Sequence, residues 1–289
     1  MVNFSFKKSY NYNSFNSVKY DHLWGSKGVF TTVRVVGRSP RYIFLKEHLS
    51  QLNKSLRKQN IKFALTEKKL LELIPRQLNI KKFNHLLRIA VKQNLISISL
   101  RPRLKPSNNF QCQLVNYQRV NARVKNLHYK KILSLQKDID LQKEEILFYS
   151  KKMILEGSTT NLIMIKNNQM IMPKGNYYKG ITINYLLKKF TNKYIFKSIT
   201  SSDLLSADEL ILIGSGKGVV KVSSIPQIKW FSSSSKMFKR LSSIYEAQLK
   251  LLYLIKINFL LCRQQLWEFV MLPKILSVMG ERITKHLML

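Results

Sequence analysis

A carboxylate set between two apolar runs is the feature of this chain that most suggests chemistry. Glu156 is the second residue of Leu-Glu-Gly-Ser-Thr-Thr-Asn-Leu, residues 155–162, in a chain of 289 residues with 15 acidic ones. One interpretation is a turn residue at a hairpin end. The other is a buried carboxylate that faces a cationic group, because an unpaired buried charge costs too much free energy to be kept.

Donors suited to an anion occur downstream of this carboxylate. Gly180-Ile181-Thr182 is predicted to open a helix, and helix N-termini bind anions through free N–H groups and the helix dipole. Ser215-Gly216 offers a second hydroxyl and amide. Both segments also fit a structural role, as a helix cap and as a turn at a strand end.

The elements that must position these residues follow from hydrophobic periodicity and turn signals. We predict strands over residues 28–36, 42–45, 95–100, 111–120, 145–149, 153–155, 162–165, 170–172, 194–199, 210–213 and 219–222. We predict helices over residues 44–56, 67–74, 80–93, 126–135, 180–190 and 202–207, and one or two more within 237–289.

This order of elements predicts a mixed α/β (α+β) fold with two lobes. We expect an N-terminal tail over residues 1–23, a small α/β lobe over 24–120, a larger lobe over 121–240 and a helical extension over 241–289. The apolar run 251–262 is too short to span a bilayer. We therefore predict a packing helix there and no membrane span.

The composition excludes several classes of function. The 50 basic residues exceed the 15 acidic ones by 35. They are spread along the whole chain, so we predict no specific nucleic-acid site, only weak adhesion to RNA or anionic lipid. Cys112, Cys262 and the five His residues show no disulfide or metal spacing. We expect a reduced, cytoplasmic location; the Ser- and Asn-rich N-terminus weakly permits organellar import but is no secretory signal.

Four segments in this order resemble the class IV pyridoxal-phosphate enzymes, the family of aminodeoxychorismate lyase, branched-chain aminotransferase and D-amino acid aminotransferase. They are residues 24–35 with 44–49, Lys125 ahead of a predicted helix, residues 155–161 with 180–182, and residues 207–222. The resemblance extends over about residues 24–235. Gly-Val-Phe-Thr-Thr-Val-Arg-Val, residues 28–35, looks most like aminodeoxychorismate lyase.

The resemblance implies a fold-type IV enzyme with pyridoxal 5'-phosphate in a cleft between the two lobes, assembled as a homodimer. Lys125 precedes Glu156 by 156 − 125 = 31 residues and would bind the cofactor covalently, in preference to Lys130 or Lys131. Glu156 would face the pyridine nitrogen and keep it protonated.

The remaining site residues come from the same resemblance. Asn161 would brace the turn after Glu156. The other cofactor contacts would be Ile181, Thr182, Ser215 and Gly216. Thr32 and Arg103 are implied as substrate contacts, although the loop 101–105 equally fits an ordinary solvated basic segment.

The chain departs from the family at two positions. Gln51 stands where the family often has an Arg that binds the cofactor phosphate, and Ile183 stands where Arg often follows the helix start. Arg57, Lys54 or Arg41 would have to compensate.

The activity that the resemblance implies is 4-amino-4-deoxychorismate lyase, which releases pyruvate and 4-aminobenzoate for folate synthesis from one small-molecule substrate. Two alternatives stay open. One is a branched-chain or D-amino acid aminotransferase that uses the same Lys125 and Glu156. The other is a degenerate, non-catalytic homologue.

Overall fold

The structure, a computed structural model, describes residues 3–190 and 193–250 of the chain. Met1–Tyr245 forms one compact unit and Glu246–Leu289 another. The predicted packing helix at 251–262, Cys262 and most of the C-terminal extension lie outside the described residues. Residues 236–250 are helical.

The first sheet is antiparallel throughout and has six strands. They are β1 (Phe6–Asn11), β2 (Ser17–Val18), β3 (Gly28–Gly37), β4 (Arg41–Tyr42), β5 (Phe83–Lys92) and β6 (Leu95–Pro102). Their order across the sheet is β2-β1-β6-β5-β3-β4. Residues 1–23, predicted to be a tail, thus contribute two strands, because β1 pairs with β6 along its whole length.

Two further sheets carry the rest of the chain. The second sheet is built from β7 (Gln111–Asn116), β8 (Glu144–Ser150), β9 (Met153–Gly157), β13 (Ile199–Thr200), β16 (Ser224–Ile225) and β17 (Trp230–Phe231). The third is built from β10 (Asn161–Lys166), β11 (Gln169–Pro173), β12 (Tyr194–Lys197), β14 (Glu209–Gly214) and β15 (Gly218–Val222). Their orders are β13-β9-β8-β7-β16-β17 and β12-β11-β10-β14-β15.

The helices are mostly short. They are α1 (Leu45–Lys58), α2 (Glu67–Glu72), α3 (Lys130–Leu135), α4 (Ile181–Lys189) and α5 (Ser201–Leu205), followed by a 3-10 turn at Pro226–Ile228. None of the described helices has the length and hydropathy needed to cross a membrane.

Strand β3 presents different side chains to its two faces, as a strand of period two must. Val29, Val33 and Val35 belong to the core beneath α1, which contributes Leu45, Leu49, Leu52 and Leu56. Phe30 belongs to a separate cluster with Leu127 and Tyr129. The two faces of the strand therefore pack against two different regions of the molecule. Thr31 lies on the same face as Val29, Val33 and Val35, the face beneath α1.

The predicted helix over 80–93 is wrong, since these residues contain strand β5. The segment has apolar residues at helical spacing, but the structure buries Leu87, Ile89 and Val91 fully in the centre of the first sheet. A strand buried on both faces reads as a continuous apolar run, which periodicity does not distinguish from a buried helix. Asn94, with φ of 65°, makes the turn into β6.

Several boundaries also differ from the prediction. The strand predicted to 120 ends at Asn116, and the helix predicted from 126 begins at Lys130. Residues 117–129 are instead an irregular segment that leads from the end of β7 in the second sheet to β3, with which it forms hydrogen bonds. The short strand predicted at 42–45 gives way to α1, which begins at Leu45.

A β-bulge lies in the hairpin of β8 and β9. Phe148 pairs with Glu156, whereas its neighbour Tyr149 pairs with Ile154, so Leu155 is an additional residue on β9. A bulge bends the strand and re-aims the side chains next to it. Glu156 is the residue immediately after the bulge, so the bulge helps to set the direction of its carboxylate.

We predict that Leu56→Ala, in the core beneath α1, lowers the free energy of unfolding by about 2–5 kcal/mol, because it removes a fully buried side chain and leaves a cavity. Leu71→Ala is the control, since Leu71 is 41% exposed in helix α2, and we expect a loss below ~1 kcal/mol. Urea unfolding followed by circular dichroism measures both. Equal losses would contradict the described packing of α1.

Candidate active site

The irregular segment between β7 and α3 holds the candidate catalytic lysine. The carbonyl of Lys125 accepts a hydrogen bond from Phe30 N at 2.9 Å, and Leu127 N donates to Gly28 O at 2.9 Å. The side-chain amide of Asn126 donates to Val120 O at 2.6 Å. Hydrogen bonds within residues 120–127 and between this segment and β3 thus fix the backbone position of Lys125, although the segment is not helical.

The amine of Lys125 lies close to two aromatic rings, and the residue is half-buried. Its Nζ is 5.2 Å from the ring centres of both Phe30 and Tyr178. Burial and, to a lesser extent, the nearby charge of Arg119 lower the pKa of Lys125 to about 8, against the opposing attraction of Glu156. A large fraction of this amine is therefore neutral near pH 8, as a nucleophile requires.

Glu156 at the end of β9 is 4% exposed and forms an ion pair with Arg119, with 2.9 Å between Oε1 and Nε. Burial raises the pKa of Glu156 to about 7, although Arg119 and Lys125 both attract the ionised form. The cost of removing the carboxylate from water thus outweighs the attraction of its two cationic neighbours.

Arg119 is one of the site residues that the sequence analysis missed, together with Thr31, His48 and Arg101. The Nη2 of Arg119 also donates to the carbonyls of Gly157 and Ser158, so one guanidinium contacts three consecutive residues. The only signal in the sequence is its place in the same irregular segment as Lys125, six positions earlier (125 − 119). Among 50 basic residues that signal was too weak to single it out.

Asn161 positions the start of helix α4. Its Nδ2 donates to Tyr178 O at 2.6 Å, and its Oδ1 accepts from Gly180 N at 2.9 Å. A Cβ at Gly180 would lie 2.9 Å from that same oxygen. Asn161 thus holds the residues that open α4; it was predicted to brace the turn after Glu156.

The predicted phosphate contacts meet at the start of α4. Thr182 Oγ1 lies 3.0 Å from Ser215 Oγ, and both residues line a narrow inner cavity together with Lys125, Glu156, Arg119, Asn161 and Ile181. His48 and Thr31 line the same cavity. Six of the predicted site residues are therefore brought together here, from four separate stretches of chain.

A second cavity, of about 130 Å³, lies on the other side of Lys125. Thr32 and Gly216 line it, so the structure places the predicted cofactor contact Gly216 beside the predicted substrate contact Thr32. Arg101 and Lys217 also line this cavity. Lys125, Thr159 and Ser215 line both cavities and separate them.

Arg103, a predicted substrate contact, lies against the turn between β14 and β15. Its guanidinium donates to the carbonyls of Gly216, at 2.7 Å, and Lys217. It thereby holds the turn between β14 and β15, while Arg101 is the residue of that loop that lines the second cavity.

A second buried carboxylate stabilises the turn after Glu156. Glu145 is fully buried and accepts hydrogen bonds from Ser158 Oγ at 2.6 Å and Thr159 N at 2.7 Å. The amine of Lys217 lies 3.6 Å from its Oε2. Glu145 therefore connects the turn of β9–β10 to the turn of β14–β15.

No Lys or Arg of helix α1 lines the inner cavity in place of the family's arginine. Gln51 and Lys54 line a separate, outer cavity between α1 and α4, where Ile181 forms the boundary. Arg41 and Arg57 line neither cavity in the described part of the chain. Ile183 does line the inner cavity. Residues 3–190 and 193–250 contain no cluster of metal-ligating side chains.

Comparisons with known proteins identify the architecture. Residues 28–225 match the model of the family described as amino-transferase class IV. No curated protein sequence gives a significant match. The match confirms the family that the four segments predicted.

Solved structures share the fold at low sequence identity. A branched-chain amino acid aminotransferase from Escherichia coli has a TM-score of 0.68 at 15% identity, over 83% of this chain and 93% of its own. A Legionella pneumophila protein provisionally named 4-amino-4-deoxychorismate lyase scores 0.64 at 20% identity, over 76% and 91%. A hypothetical aminotransferase from Mycobacterium tuberculosis, in its PLP-bound form, scores 0.63 at 13% identity, over 84% and 98%. The predicted mixed α/β, fold-type IV architecture is confirmed.

The raised pKa of Glu156 predicts how stability depends on pH. Between its ordinary value of 4.5 and about 7, the carboxyl loses its proton in the unfolded chain but keeps it in the folded one. The wild type should therefore lose about 3 kcal/mol of unfolding free energy relative to Glu156→Gln as pH rises from 4.5 to 7.5.

Urea unfolding of the cofactor-free proteins measures this difference. Glu72→Gln is the control, since Glu72 is an exposed residue of helix α2, and its difference from the wild type should stay constant. Parallel pH profiles for wild type and Glu156→Gln would contradict the buried position of the carboxyl.

Proposed function

This chain belongs to the amino-transferase class IV family, and from that premise we propose that it is a 4-amino-4-deoxychorismate lyase, which forms pyruvate and 4-aminobenzoate. The family consists of enzymes whose cofactor is pyridoxal 5'-phosphate, and that is the cofactor of this chain. The observation that carries the proposal is the buried cavity that Lys125, Glu156 and the start of α4 line together.

The residues of the inner cavity fit this cofactor in chemistry and order. An amine, a carboxyl and a helix N-terminus with two hydroxyls match the aldehyde, the pyridine nitrogen and the phosphate. All of these groups line the same cavity.

Each residue then has a defined role. When bound, the cofactor supplies a ring that withdraws electrons from the carbon bearing the substrate amine. Glu156 holds a proton at the pyridine nitrogen, with Arg119 fixing the orientation of its carboxyl. Lys125 would bind the cofactor and, once the substrate amine has displaced it, would accept the proton from the amine-bearing carbon, for which a pKa near 8 is well matched.

The second cavity supports an acidic substrate. Arg101 provides positive charge, whereas the amine of Lys217 is already paired with Glu145. Phe30, Leu86 and Leu104 provide apolar walls. Aminodeoxychorismate has two carboxylates and a six-membered ring, so it matches both features. Arg101 would hold the substrate close to Lys125, which lines the same cavity.

The lyase is favoured over an aminotransferase by the segment after Phe30. Thr31 and Thr32 follow it, and no acidic residue does, in the pattern that resembles aminodeoxychorismate lyase. Thr32 lines the second cavity. The branched-chain or D-amino acid aminotransferase remains the alternative, because it would use the same Lys125 and Glu156.

Assembly and location are further proposals from the family. We propose a homodimer in the cytoplasm acting in folate synthesis, with two lobes that divide near residue 120. Analytical ultracentrifugation tests the dimer, and a monomer at micromolar concentration would count against it.

We predict that the purified protein, loaded with pyridoxal phosphate, converts aminodeoxychorismate to equimolar pyruvate and 4-aminobenzoate. Glutamate alone should yield no 2-oxoglutarate, since the lyase needs no amino donor. Chromatography of both mixtures measures the products. Formation of 2-oxoglutarate without 4-aminobenzoate would establish the aminotransferase instead.

We predict that Lys125→Ala abolishes turnover and covalent attachment of pyridoxal phosphate, because no other amine is fastened at that point of the cavity in the described part of the chain. Lys130→Ala is the matched control, since Lys130 begins helix α3 five residues later, and it should retain both. Borohydride reduction followed by peptide mapping locates the labelled lysine. A label on Lys130 in the wild type overturns the assignment.

A further inference from the structure

Four side chains form a hydrogen-bonded row at the α4 end of the inner cavity. Thr31 Oγ1 lies 2.6 Å from His48 Nδ1, and His48 Nε2 lies 3.3 Å from Ser215 Oγ. Ser215 Oγ in turn lies 3.0 Å from Thr182 Oγ1. The four residues come from β3, α1, the β14–β15 turn and α4, so the row joins the elements around the predicted phosphate position.

The imidazole is the ionisable member of this row. His48 is 4% exposed, and burial with the nearby charge of Lys125 lowers its pKa to about 3. The groups facing it from β3, the β14–β15 turn and α4 are hydroxyls, which do not titrate here. In the ligand-free protein the imidazole is therefore neutral at physiological pH.

An anion bound beside these four side chains would have no Lys or Arg available as its partner among the described residues that line the cavity. Arg119 is paired with Glu156, and Lys125 is the amine reserved for the cofactor. A phosphate monoester carries between one and two negative charges near pH 7. Opposite charge within about 4–6 Å favours the protonated form of an imidazole.

We propose that His48 is a ligand of the cofactor phosphate and that it takes up a proton from solvent when the phosphate binds. Protonated, it donates from both nitrogens: Nδ1–H to Thr31 Oγ1, and Nε2–H to the phosphate. The hydroxyls of Ser215 and Thr182 are then free to donate to the same anion, because a hydroxyl can be donor or acceptor. This inference rests on the proposed function only in that the cofactor binds in this cavity.

The proposal has a consequence for pH dependence. The imidazole pKa is higher in the complex than in the free protein, so binding is coupled to proton uptake between those two values. The His48 contribution to the affinity for a phosphorylated ligand should therefore fall as pH rises between the two values and level off above the pKa of the complex. A ligand without phosphate should show no contribution from His48.

The test uses 4-deoxypyridoxine 5'-phosphate, which has the ring and phosphate but no aldehyde, so the amine of Lys125 does not react with it. Calorimetric titration of the full chain in two buffers of different ionisation enthalpy, from pH 6 to 8.5, counts the protons taken up. His48→Asn retains a group near Nδ1 for Thr31 but has no Nε2 and does not protonate. His22→Gln, at an exposed histidine, is the control.

We expect the wild type and His22→Gln to take up close to one more proton per site than His48→Asn near neutral pH. At pH 6.5 His48→Asn should bind the phosphorylated probe ~10- to 100-fold more weakly, the range of a lost charge-assisted hydrogen bond. The wild type and His48→Asn should bind 4-deoxypyridoxine, which lacks the phosphate, equally well.

Histidine ¹⁵N chemical shifts of the wild-type complex give an independent readout if His48→Asn fails to fold. A protonated imidazole for His48 supports the proposal. A bound probe with a neutral imidazole, or equal proton counts in wild type and His48→Asn, overturns it and leaves the proposed function standing. Failure of the wild type to bind the phosphorylated probe at millimolar concentration overturns the cofactor site itself, and this proposal with it.

Discussion

The site depends on keeping one carboxylate out of water with cationic groups close by. Glu156 is nearly fully buried, and its neighbours Arg119 and Lys125 come from one irregular segment between β7 and α3. Irregular backbone is costly to bury unless its polar groups are satisfied. The side chain of Asn126 and the edge of β3 accomplish this, so the charge arrangement rests on backbone hydrogen bonds as much as on the ionised groups.

Much of this arrangement could be predicted from the sequence. The strand at 28–37, helix α1, the hairpin of β10 and β11 and the start of α4 all have clear periodicity or turn residues, and the residues they carry meet in one cavity. Periodicity failed at β5, where burial on both faces hides the alternation. It failed again at residues 126–129, which were predicted to be helical. Asn126 instead forms a β-bridge with Val29 of β3, and helix α3 begins only at Lys130.

The long charged side chains were the least predictable part of the site. Arg119 contacts Glu156, Arg103 holds the β14–β15 turn, and Arg101 lines the second cavity, yet all three look alike in a chain with 50 basic residues. Their targets are backbone carbonyls and a carboxylate that only the tertiary fold brings near. Among the scarce acidic residues, only Glu156 could be singled out from the sequence. The structure shows that Glu145 and Glu209 are also buried and that each holds a junction between elements.

The bulge at Leu155 places a limit on how this chain can vary. A shift of one residue in a strand turns every following side chain to the opposite face of the sheet. An insertion or deletion within the paired residues of β8 or β9 that the bulge does not absorb would therefore direct the carboxylate away from the cavity, whatever amino acids remained. The spacing between the paired residues of this hairpin is thus more constrained than the identity of Lys151 and Lys152, which lie exposed in its turn.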